Sequence, residues 1–318
     1  MSRRLLADDE SAYWSRTNAS PYEAQDLKLA IDRLIQHGRP YAAIRCLNWM
    51  LHSEQPFDNE RAVRVLVEAL ESSEDIRQTD VYEIVEIIKK LQNDPNTDPE
   101  QLFRVEWAYL PLLDQDPGAS PKLLWHRLSQ EPKFFCEVIR LVFRSKNEER
   151  LSDEVTEESK HIAENAYLLL HEWRSPPGYR EDNTYDGEAL TAWLDAVKEE
   201  CSETGHLEIA MTMVGHALIH VPADPDGLWI HRAAAAALNA KDAEDMRNGF
   251  RTELFNSRGV HWVDPTGKPE RELASGYRAQ AEAVDDTGFY RLATMLRELA
   301  RSYEREAERV ASREPFDD

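Results

Sequence analysis

His216 and His220 stand four residues apart in a stretch with helical periodicity, so one face would carry both imidazoles toward a single metal ion. Asp224 or Asp226, just past that stretch, could add an oxygen ligand. A helical zinc-protease site needs glutamate directly after the first histidine, and this chain has Ala217. Two ordinary helix histidines are the expected reading, with no metal and no cofactor. Asp94, Asn96 and Asp98 imitate the first ligands of a calcium loop, yet Pro99 stands where that loop turns on glycine and Val105 where it closes on glutamate. A turn followed by a capped helix is expected instead. Neither Gly-x-x-x-x-Gly-Lys-Ser/Thr, Gly-x-Gly-x-x-Gly nor Gly-x-Ser-x-Gly occurs, which removes the usual marks of nucleotide and α/β-hydrolase chemistry. Cys46, Cys136 and Cys201 lie 90 and 65 residues apart, so neither a disulfide framework nor a thiolate zinc site is expected.

The loop Phe255-Asn256-Ser257-Arg258-Gly259-Val260-His261-Trp262 holds groups suited to recognition rather than bond-breaking. Arg and Trp are enriched at binding hot spots, Asn256 and Gly259 tolerate left-handed backbone after a helix, and Glu270 and Arg271 open the next helix close by. Together with Asp226 and Trp229, the residues Asn256, Ser257, Arg258, His261, Trp262, Glu270 and Arg271 form the expected binding set. Spacing shows no nucleophile and base pair, so no catalytic residue is assigned. Trp107, Phe134, Phe135, Trp173 and Trp193 mostly fall on apolar stripes and read as core rather than as platforms for stacked bases.

Helices must carry these groups. Glycine is 12 of 318 residues, below the average of roughly 7%, and charged residues make up 31%. Sixty acidic against 38 basic residues give a net charge of −22, a field that repels phosphates and disfavours direct nucleic-acid binding. The first apolar run stops after three residues, so no secretion signal is expected. The longest, Ala233 to Leu238, is far short of a membrane span. With scattered thiols, a cytoplasmic protein is expected. Ser20-Pro21-Tyr22-Glu23 is a capping box with proline at the first helical position. Gly38 and Pro40 then separate the stripe Leu27, Ile31, Leu34 from a second one, Ala43, Ile44, Leu47. Asp58, Asp80 and Asp98 open further helices, and Pro111 should break the ladder of the last.

First-helix starts at 21, 58 and 98 lie 37 and 40 residues apart, the period of stacked helix pairs. The expected fold is therefore all-α, an irregular α-solenoid of helical hairpins of HEAT or TPR type, read either as one superhelix or as two helical subdomains. Residues 1–19 form an arm, 20–175 a hairpin-repeat domain, 176–185 a polar, proline-rich linker, and 186–318 a C-terminal helical domain.

Asp224-Pro225-Asp226-Gly227-Leu228-Trp229, Phe255 to Val260, Glu270 to Ala274 with Tyr277-Arg278, and Leu299 to Ala307 resemble the C-terminal end of a group of large, uncharacterised bacterial proteins. Gly38 to Ala43 and Glu106 to Leu113 are similar to upstream parts of the same group. Its members place Trp-Pro after Asp-Gly, where this chain has Trp229-Ile230. The resemblance implies a bacterial protein, either free-standing or a detached C-terminal region, and by association a defence or stress role. It supplies no activity.

The leading functional expectation is a non-enzymatic helical scaffold that binds another protein with a basic surface, without membrane contact. The alternatives are an acidic mimic that competes with nucleic acid, or an enzyme assembled from distant residues such as His216, His220, His261 and Asp226.

Overall fold

The computed structural model describes residues 6–17, 24–52, 57–115, 118–147, 156–180, 182, 184–259 and 264–312. Among these the chain forms sixteen α-helices and one 3-10 turn, with no β-strand and a single isolated bridge between Tyr179 and Tyr185. It divides into two compact units between Leu124 and Trp125.

The first unit holds α1 (Leu6–Trp14), α2 (Ala24–Gln36), α3 (Pro40–Leu51), α4 (Asn59–Leu70), α5 (Gln78–Asn93), α6 (Pro99–Ala108) and α7 (Leu110–Gln115). Gly38, at φ 66°, reverses the chain between α2 and α3, and the stripes Leu27, Ile31, Leu34 and Ala43, Ile44, Leu47 bury against each other. Asp58 caps α4 by accepting the Arg61 N–H at 3.1 Å. Asp98 caps α6 in the same way, accepting from Gln101 at 2.9 Å, while the Asp94 carboxylate takes up the Asn96 N–H at 3.0 Å. The expected turn and capped helix are therefore present. Asp80 does not begin its helix: α5 starts two residues earlier, and Asp80 reaches back from the first turn to the Arg77 N–H at 3.0 Å. Its carboxylate is 1% exposed and bonds Arg45 at 2.8 Å. The ladder breaks between Ala108 and Leu110, where Pro111 has no N–H to donate. The capping box at Ser20 lies outside the described residues.

Glu106 is fully buried in this unit. It accepts from Gln92 Nε2 at 2.6 Å and from the backbone N–H groups of Leu123 and Leu124 at 3.2 and 2.9 Å. A carboxylate from α6 thus caps α8 (Lys122–Gln130), which has Pro121 directly before it. Burial pushes this carboxyl up, and the three donors offset that only partly.

The second unit continues with α9 (Pro132–Val142), α10 (Glu157–His171), α11 (Gly187–Thr204), α12 (Leu207–Ala217), α13 (Arg232–Asn239), α14 (Glu244–Asn256), α15 (Lys268–Asp286) and α16 (Tyr290–Ala311). Phe135, Trp173 and Trp193 form a buried triangle with ring centroids 5.0 to 5.9 Å apart, so these aromatics are core, as their stripes imply. Phe134 and Trp107 are half-buried, Phe134 beneath the Arg127 guanidinium. Residues 176–185 are not an extended linker between units. The described residues of this stretch turn back on themselves inside the second unit, tied by Arg180 N–H to Thr184 O at 2.9 Å and by Tyr185 Oη to Pro177 O at 3.0 Å. Polar composition and prolines suggest a spacer, but Pro176, Pro177 and Gly178 are buried.

The all-helical class stands. Neighbours in sequence are not always neighbours in space: α3 packs on α5, α4 on α6, and α12 on α14 with α13 passed over.

Candidate functional site

The tightest helix contact near the sequence-selected histidines is the crossing of α12 and α14. It exists because Gly215 and Gly249 lack a Cβ. One built on Gly215 would lie 2.1 Å from the Met246 carbonyl oxygen, and one on Gly249 would lie 2.0 Å from that of Thr212. The crossing brings His216 Nδ1 to 3.8 Å from Glu253 Oε2, too far for a hydrogen bond. Neither atom has a hydrogen-bond partner, and both are sealed from solvent. Burial, with His171 nearby, holds His216 below the ordinary histidine value, and burial pushes the Glu253 carboxyl up. Both shifts run toward the neutral form.

His220 closes the 3-10 turn that follows α12 and is likewise pushed down by burial, with Arg174 contributing. The aspartates suggested as its co-ligands are engaged elsewhere. Asp224 accepts the backbone N–H groups of Asp226 and Arg232 at 3.0 and 2.8 Å, and Asp226 pairs with Arg232 at 3.1 Å. Burial alone would raise the Asp224 carboxyl, but these donors and the Arg232 guanidinium hold it below the carboxylate range. Among the described residues no three His, Cys, Asp or Glu side chains are placed to hold a metal.

Because folding lowers the affinity of His216 and His220 for protons, their contribution to stability is complete above about pH 6.5 and is lost as the pH falls below it, where the unfolded chain takes up the extra protons. Glu253 works the other way, its protonated form being favoured in the fold, so its contribution is lost as the pH rises. Thermal unfolding scanned downward from about pH 7.5 to about pH 5.5 should show a declining midpoint, and His216→Gln should flatten that decline. An unchanged slope in the variant would assign it to another group.

The residues expected to bind a partner around the α14–α15 connection are put to structural use. Arg258 is not an exposed anchor: its side chain is 14% exposed and hydrogen-bonds Glu270, itself 1% exposed. The Arg258 guanidinium also lies 5.9 Å from the centroid of Tyr303, whose ring is near-parallel to those of Phe255 and Tyr277. The structure thus brings Arg258 and Glu270 together, but as an internal ion pair. Arg271 donates to Thr266 O at 2.7 Å from an exposed position, and Asn256 and Ser257 end α14 with Ser257 bonded back to Leu254 O. Gly259 takes the left-handed turn, at φ 63°. Trp229 is half-buried and donates to Gln280 O at 3.2 Å, apart from the exposed Asp226. His261 and Trp262 lie outside the described residues.

A different place in the second unit has the shape of a receptor. Between α9 and α11 lies an open groove of about 710 Å³ whose lining includes Glu131, Lys133 and Arg140 on one side and Ala196, Glu199, Glu200 and Glu203 on the other. Arg140 is already bonded to Glu200 at 2.9 Å, and Glu131 to Arg127 at 3.0 Å. Among the described residues Glu199 and Glu203 have no cationic partner, and their spacing of four sets both carboxylates on one helical face. In the same helix pair the Cys136 and Cys201 sulfurs approach to 3.4 Å. The sequence reading missed both features. An acidic run on a helix is ordinarily a solvated face, and two cysteines 65 residues apart carry no spacing signal.

Fold and site together define an all-helical protein of two compact units with a carboxylate-lined groove in the second. No known protein family matches the chain, and neither curated proteins nor solved structures yield a match.

Proposed function

We propose that this chain is a non-enzymatic helical binding protein that takes a basic segment of another protein into the groove between α9 and α11. The observation that carries this reading is the groove itself: four glutamates line it, and among the described residues two of them, Glu199 and Glu203, are in no ion pair. Pro132, Ala196 and the methyl of Thr204 add apolar surface for the stems of lysine or arginine side chains. The net charge of −22 would speed encounter with such a partner, so the association rate should fall as salt rises. Stacked hairpins of HEAT or TPR type suit this role, since such arrays bind extended segments along their grooves. The resemblance to large bacterial proteins supports a setting in a bacterial cytoplasmic complex.

The test is a fluorescence-anisotropy titration with a labelled, lysine- and arginine-rich peptide. Glu199→Gln with Glu203→Gln should weaken binding at least about tenfold, equivalent to about 1.4 kcal/mol. The matched pair Glu60→Gln with Glu68→Gln, exposed on α4, removes the same charge and should change affinity less than about twofold. Equal losses in the two pairs would show that the peptide responds to net charge alone.

A further inference from the structure

The two helices that wall the groove also bring two free thiols together. Cys136 of α9 and Cys201 of α11 are 0% and 1% exposed, and their sulfurs lie 3.4 Å apart as a hydrogen-bonded thiol pair. Packing of small apolar side chains does not require two sulfurs to meet. Arg140 and Glu200, which border the groove, stand on the same two helices as the cysteines, Glu200 directly before Cys201, and act electrostatically on both sulfurs. From this juxtaposition we propose that Cys136 and Cys201 are a redox-modification site, oxidised by hydrogen peroxide to a disulfide that ties α9 to α11. Resting on the groove reading, a second consequence is that the bond fixes the spacing of the walls and alters affinity for the basic segment.

The chemistry balances within the pair and the peroxide. The hydrogen bond between the two sulfurs lowers the Cys201 thiol against the opposing effect of burial, whereas that bond and burial both raise Cys136. In that direction Cys201 is the attacking sulfur and Cys136 the resolving one. The Cys201 thiolate forms an S–O bond as the O–O bond of the peroxide breaks, giving a sulfenic acid and a hydroxide that is protonated to water. The Cys136 sulfur then attacks the Cys201 sulfur: the S–S bond forms, the S–O bond breaks, and the departing hydroxide leaves as water with the Cys136 proton. Two thiols lose two electrons, and one peroxide becomes two waters. Hydrogen peroxide is close to water in size, so it needs only a small opening to reach a sealed pair. Cys46, buried in the first unit with its thiol pushed up to about 11 by burial, is the internal comparison.

The experiment uses the full chain, reduced and then exposed to dilute hydrogen peroxide, quenched with an alkylating agent under denaturing conditions and mapped by mass spectrometry without reductant. The proposal expects loss of the mass of two hydrogens, a linked peptide pair containing Cys136 and Cys201, and Cys46 still alkylated. Cys136→Ser and Cys201→Ser should each abolish the linkage, and Cys46→Ser should leave it intact. Alkylation of both Cys136 and Cys201 after peroxide, or overoxidation of Cys201 to sulfinic acid in place of the link, would overturn it. Peptide affinity is then compared between reduced and oxidised chain. A change of at least about threefold supports the coupling to the groove, and a smaller one overturns that coupling while the mass result still decides the thiol pair. If neither form binds the peptide, the groove reading fails on its own.

Discussion

Gly215→Ala should destabilise the second unit by about 3 kcal/mol or more, the upper range for overpacking a close contact. The new methyl would lie 2.1 Å from the Met246 carbonyl oxygen, a backbone atom that cannot rotate away, so α12 and α14 must separate. Gly249→Ala meets the Thr212 carbonyl oxygen at 2.0 Å and should behave alike. The contrast is Gly276, an exposed glycine inside α15 with no atom within 4 Å of its would-be Cβ. There the same substitution gains only helix propensity and should stabilise by about 0.5 to 1 kcal/mol. Urea unfolding of the three variants therefore gives opposite signs for one chemical change. A neutral Gly215→Ala would mean that the two helices do not cross at that distance.

Arg258→Ala should cost about 3 to 5 kcal/mol, because it withdraws the guanidinium from a carboxylate that is 1% exposed. The near-parallel rings of Phe255, Tyr303 and Tyr277 also lose the cation that lies over Tyr303. Arg258→Ala with Glu270→Gln should recover part of the loss, since the second change removes the buried charge. By comparison Arg271→Ala, on an exposed side chain bonded to Thr266 O, should stay within about 0.5 kcal/mol. Denaturant midpoints for the four chains decide the matter. A stable Arg258→Ala variant would return this residue to the role of a surface anchor.

Those two expectations mark where local sequence chemistry ends. The caps at Asp58 and Asp98 and the break at Pro111 are legible because each depends on residues within one turn. Asp80 misleads by two residues because an acid in the first turn can reach back to the same backbone donors as a capping residue. The 176–185 segment has the composition of a spacer, yet the pairing of Tyr179 with Tyr185 and the Tyr185 hydroxyl bond to Pro177 O turn it back. Arg258 has the residue type of a binding anchor, and the same type serves equally well for a buried carboxylate partner twelve positions away. Gly215 and Gly249, or Cys136 and Cys201, have nothing local to announce them. Each pair acquires meaning only when two helices distant in sequence are brought together by burial of their apolar faces.

Hydrogen exchange read by mass spectrometry, with and without a saturating lysine- and arginine-rich peptide, tests the groove reading most directly. Protection should concentrate in residues 131–142 and 196–204, the segments that form the groove walls, and should disappear when Glu199 and Glu203 are both glutamine. Protection spread evenly over the acidic surface, or centred on α14 to α16 with the groove walls unchanged, would contradict it.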